Sequence, residues 1–162
     1  MTTIAQEPAP LADSVTDAGL PYVDVALGKS ARKLRTELLQ KYYGRNLYLM
    51  AHLGNGVGFS IYAPDIQDVM TEYDFDSELI QLPEKDGFKV FYMRPIKAIK
   101  LPYSAGIHMN LGTEYEGKTA YIYSKSLLTG NYERVNITTV NEIGNVAIQT
   151  NELTDIIVLI AQ

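Results

Sequence analysis

Five carboxylates crowd one short stretch of the chain, at Asp65, Asp68, Glu72, Asp74 and Asp76. Side chains alternate along an extended strand, so Glu72, Asp74 and Asp76 would share one face. Carboxylates placed that way repel unless a cation or a basic partner neutralises them. Ca2+ takes roughly six to eight oxygen ligands and suits such a group. Glu72, Asp74 and Asp76 are therefore the candidate metal ligands, and Ca2+ is the one cofactor the sequence suggests. The spacing is not that of an EF-hand, and a solvated strand face with ion pairs is the commoner use of such residues. Paired carboxylates also hydrolyse glycosidic bonds when a cleft holds them at a fixed separation, which spacing along a chain does not establish.

Tyrosine is the second resource. The chain has 12 Tyr, four Phe and no Trp. Tyr121 and Tyr123 are two residues apart and share a strand face, and Tyr132 on the next strand would extend the patch. Tyr103 completes the candidate ligand-binding set; Tyr42, Tyr43, Tyr62, Tyr73, Tyr92 and Tyr115 are further rings of the same kind. Such rings stack on sugars and anchor protein interfaces. They also pack ordinary sheet surfaces, and the absence of Trp weakens a sugar platform.

His52 and His108 are the only histidines. A pair could bind a metal or relay protons, but each lies in an apolar, strand-like run with no nucleophile motif beside it. Gly54-Asn-Gly-Val-Gly58 is glycine-rich, yet no Gly-Lys-Ser/Thr helix follows, so it reads as a hairpin rather than a phosphate loop. No residue set carries a catalytic signature, and a non-enzyme is expected.

The surrounding elements are mostly strands. Tyr22 to Leu27 alternates. Asn46–Leu53 and Val57–Tyr62 flank the Gly54-Asn-Gly56 turn, and Pro64 ends the second run. Thr71–Ile80 reads as the acidic strand, Pro83–Gly87 as a turn and Phe88–Met93 as a strand. Ile96–Leu101 is a short segment before Ile107–Leu111. From Glu114 onward a four-stranded meander is expected, with strands at Lys118–Tyr123, Tyr132–Ile137, Asn145–Gln149 and Ile156–Ile160. One helix is expected over Ser30–Tyr43, with Ser30 as N-cap, Leu34, Leu38 and Tyr42 on one face, and Gly44 to end it. Turn signals roughly every ten residues indicate an all-β sandwich, Ig-like or jelly-roll in type, of seven to nine strands with one short helix. Residues 1–21, rich in Ala, Pro, Thr and Asp, read as a linker or disordered tail, leaving 22–162 as the sandwich module.

Composition narrows the partners. The net charge is −5, which argues against a nucleic-acid backbone and an anionic membrane surface. With no cysteine, disulfides and thiolate chemistry are excluded. No apolar run approaches the ~20 residues of a membrane helix, so no membrane insertion is expected. The first 20 residues lack the basic start and apolar core of a signal peptide, and the chain reads as a piece of a longer one.

A set of turn and core residues carries a resemblance. It comprises Gly117, Lys118, Tyr121 and Tyr123, then Thr129 and Gly130, then Val140, Asn141 and Gly144, then Thr154-Asp-Ile156. Gly56-Val-Gly-Phe-Ser-Ile61, Pro64-Asp-Ile66 and Asp74-Phe-Asp76 extend it toward the N-terminus. Over roughly residues 25–160 the chain resembles a β-sandwich accessory module of extracellular and cell-wall proteins of anaerobic Gram-positive bacteria. Those modules often adjoin dockerin, anchoring or carbohydrate-active domains. The resemblance implies a non-catalytic module of a longer secreted chain at the cell surface. Its partner would be a polysaccharide or cell-wall glycan met by the Tyr-bearing surface. The alternative is a spacer or protein-docking domain that meets another surface protein.

Overall fold

The computed structural model describes residues 22–26, 45–65 and 75–162. Within them run ten strands: β1 (Tyr22–Ala26), β2 (Tyr48–His52), β3 (Val57–Tyr62), β4 (Ser77–Lys85), β5 (Phe88–Pro95), β6 (Ile99–Asn110), β7 (Thr119–Lys125), β8 (Tyr132–Thr139), β9 (Asn145–Leu153) and β10 (Ile156–Ala161). They form two five-stranded sheets, ordered β1-β2-β3-β6-β9 and β4-β5-β10-β7-β8. The β1–β2 pair is parallel and the others are antiparallel. The fold is the expected all-β sandwich. The expected linker over 1–21 and the helix over Ser30–Tyr43 lie outside the described residues.

Local turn chemistry sets the hairpins. Gly54 and Gly56 take φ of 81° and 92° between β2 and β3, a region that costs glycine nothing. Between them Asn55 keeps an ordinary φ. Its side chain accepts from Val57 N at 3.2 Å and donates to the Ser77 carbonyl at 2.6 Å, tying the turn to β4. Asp86 and Gly87, at φ 53° and 83°, make the two-residue β4–β5 turn, with the positive φ at both positions that type I′ requires.

Three sequence expectations change. Strands number ten rather than seven to nine; β6 unites two short segments, and the acidic stretch begins its strand only at Ser77. Asp76 therefore precedes the strand instead of lying on it. The C-terminal strands exist but are no meander. β7 and β8 pair as a hairpin, β9 crosses to the first sheet beside β6, and β10 returns between β5 and β7. A run such as Ile156-Ile-Val-Leu-Ile160 announces burial, and its neighbours are chosen by long-range packing that no local turn encodes.

One core fills the space between the sheets. The second sheet sends in Phe91, Met93, Ala120, Ile122, Ile156, Val158 and Ile160; the first sends Leu49, Ala51, Phe59, Ile61, Ile107, Met109, Val146 and Ile148. Phe75 meets Phe59 with centroids 5.3 Å apart, and Tyr115 caps Phe91 edge-on at 5.5 Å. Polar pins close one end. Asn110 Nδ2 donates to the Ile143 carbonyl and to Asn145 Oδ1. Asn141 Oδ1 accepts from Ile143 N and Asn145 N. This turn presses Gly144, at φ 84°, against the backbone of Gly112; a Cβ there would lie 2.5 Å from the Gly112 carbonyl carbon.

Gly144→Ala should therefore destabilise far more than Gly130→Ala, whose φ is 75° but whose Cβ would meet nothing within 4 Å. The latter carries only left-handed strain of about 1–2 kcal/mol. Urea unfolding measures both, and equal losses would refute the close approach.

Candidate functional site

The outward side of the second sheet follows from the core by alternation. Because Phe91, Met93, Ala120, Ile122, Ile156, Val158 and Ile160 point inward, their neighbours point to solvent. Strand register lines those neighbours up in rows. One row runs Ile80, Tyr92, Ile157, Tyr123, Arg134. The next runs Leu82, Val90, Leu159, Tyr121, Ile137. These two rows form an almost wholly apolar plate across all five strands. Its margins are open: Ile80 is 40% exposed, Ile137 48% and Val135 50%.

A polar end borders the plate. Glu78 pairs with Arg94 at 2.6 Å, and Lys125 and Tyr132 sit opposite each other on β7 and β8. The Tyr92 hydroxyl donates to Asp155 Oδ2 at 2.8 Å. Partial burial, then the bond to Asp155 and its charge, push the Tyr92 phenol up to about 12. Partial burial and the Asp155 charge raise Tyr132 as well. At the opposite end Phe88 meets Tyr121 edge-to-face at 6.1 Å, so the Tyr121 ring is already engaged within the sheet surface.

The structure thus brings Tyr121, Tyr123 and Tyr132 onto one face. Tyr103 is elsewhere, on β6 of the first sheet, half-buried against the core. Of the proposed metal ligands, Glu72 and Asp74 lie outside the described residues. Asp76 borders an open cleft of about 600 Å3 beside Asn55, Glu78, Arg94 and Ile96. Among the described residues no group of three or more His, Asp or Glu side chains is close enough to hold a metal ion. The Glu78–Arg94 pair at the cleft mouth is solvated on both sides and contributes little to stability.

The aliphatic members of the plate (Ile80, Leu82, Val90, Ile137, Ile157 and Leu159) are the residues the sequence reading missed. The signal was present as alternation on both sides of a strand. An apolar run such as Ile156–Ile160 buries one side in the core and leaves the other as surface.

The two histidines form a separate cluster on the first sheet. Register places His52, Gly58 and His108 in one row across β2, β3 and β6. Gly58 puts no side chain between the two imidazoles. His108 Nε2 lies 3.0 Å from Ser60 Oγ, and Ser60 is itself buried, its Oγ lying over Gly106, where no Cβ could fit. The contact, part-buried, joins β3 to β6. No family model, no curated protein and no solved structure matches this chain.

Burial, and secondarily the His52 charge, lower the His108 pKa from 6.5 to about 4. The folded state therefore binds fewer protons than the unfolded one across that window. The stability this neutral imidazole allows is complete above the unfolded value of 6.5 and is lost as pH falls toward 4. At about 1.4 kcal/mol per pKa unit the loss amounts to a few kcal/mol. His108→Gln should flatten this acid-side slope in urea unfolding across the window. An unchanged slope would show that other groups set it.

Proposed function

We propose that the chain is a non-catalytic module of a larger cell-surface protein and that it works by docking onto another protein. The resemblance to Gram-positive accessory modules supports the setting. The observation that carries the docking reading is the outer plate of the second sheet, with its two apolar rows and open aliphatic margins. A contiguous apolar surface of this kind marks an interaction site. Its chemistry favours protein over sugar. Branched methyl groups offer a sugar hydroxyl no partner, and a polar group moved from water without a hydrogen bond is penalised. A protein partner meets the same methyl groups with its own and gains from their removal from water.

A second reading has one observation of its own. At the polar end, the Tyr92–Asp155 hydrogen bond, Tyr132, Tyr123 and the basic Arg134 and Lys125 combine ring faces with hydrogen-bonding groups. That is the chemistry of a glycan site, and a polysaccharide chain lying across this end would use it.

A photoreactive phenylalanine analogue placed separately at Ile137, Tyr132 and Glu142 in the parent protein distinguishes the two. Glu142, exposed in the β8–β9 turn, is the control. The expected outcome is a protease-sensitive adduct from Ile137 and none from Glu142. An adduct from Tyr132 alone, released by glycoside hydrolases and not by protease, would transfer the function to glycan binding. No adduct from either face position would remove the docking reading.

A further inference from the structure

We infer that the partner of the plate is a second copy of the chain, the two second sheets packing face to face. The inference rests on the docking reading and names its occupant. Together with the polar row at each end, the two apolar rows of the plate span five strands about 4.8 Å apart, roughly 600 Å2 from each copy, which reaches the lower end of stable protein–protein interfaces.

Charge selects the arrangement. Two sheets can pack about a twofold axis lying between them, along the strands or across them. An axis along the strands would set β10 over its own copy, bringing Asp155 against Asp155, and would set Arg94 of β5 over Lys125 of β7. Both are like-charge encounters in a desolvating interface, which oppose association. An axis across the strands keeps each strand over its own copy and inverts the rows. Ile80, Tyr92 and Ile157 then lie over Leu82, Val90 and Leu159. The polar end of each copy covers the opposite end of the other.

That opposite end is complementary. Lys85 pairs with Phe88 at the far end of the β4–β5 ladder, and Glu78 pairs with Arg94 at the near end. Inversion sets Glu78 over Lys85 and Arg94 over the Phe88 ring, twice each by symmetry. The first is an ion pair and the second a cation–π contact. The surface is self-complementary, as a twofold interface requires.

Sedimentation velocity of the full 162-residue chain from low to high micromolar concentration tests the inference. The expected result is a monomer–dimer equilibrium. Leu82→Glu and Ile137→Glu, at positions 36% and 48% exposed, should leave monomer alone. Glu78→Lys and Lys85→Glu should each weaken the dimer by about tenfold, and the double exchange should restore it, an outcome misfolding cannot imitate. Monomer at every concentration overturns self-association. The docking reading survives that result if the analogue at Ile137 still links to a different protein, and falls with it otherwise. A dimer indifferent to all four substitutions places the contact on another surface and equally overturns the inference.

Discussion

Both layers of the molecule depend on β10. This strand lies between β5 and β7 and gives the second sheet its continuity. Its inward residues Ile156, Val158 and Ile160 are fully buried, and they close the core against the first sheet. Its outward residues Ile157 and Leu159 occupy the middle of the two apolar rows. The strand pairs through six positions with β5 and five with β7. Without it the second sheet would divide into two hairpins, and two-stranded hairpins are marginal on their own in water. β10 is apolar on both sides: one holds the sheets together, and the other forms the middle of the outer plate.

What the sequence revealed and what it hid divide by the range of the interaction. The Gly54-Asn-Gly56 sequence announced its hairpin and Pro83–Gly87 its turn, since a positive φ is a local demand met by local residues. The shared face of Tyr121 and Tyr123 followed from alternation alone. The row that joins Tyr92, Ile157 and Tyr123 needed the register of three strands drawn from distant parts of the chain. Ser60 and His108 are equally hidden, because β3 and β6 are separated by two strands of the other sheet. Tyr103 shows the converse error: a ring of the right type whose strand turned out to belong to the opposite layer. The acidic cluster was legible as composition, but the strand assumed to array it begins only at Ser77.

The treatment of the edges gives the plate its meaning. An exposed sheet edge invites another strand, and proteins blunt it with prolines, bulges and charges. β4 does so with Pro83 at a register shift between Leu82 and Lys85, followed by Glu84 and Lys85. β8 does so with Val135 as an extra residue, since Ile122 pairs with Asn136 while Tyr123 pairs with Arg134. Asn136 then donates to the Ala147 carbonyl of β9 at 3.3 Å, linking the edge of one sheet to the edge of the other. Both edges of the second sheet are therefore interrupted, while its face is left with Ile80, Leu82 and Ile137 open to water. Strand addition is obstructed where face-to-face contact is not. A chain that needed only solubility would have placed charges in the outward rows, where they cost the core nothing. Apart from Arg134 on the edge strand β8, the second sheet instead keeps its outward charges at the ends of the rows and the middle apolar, and this distribution is what the docking proposal rests on.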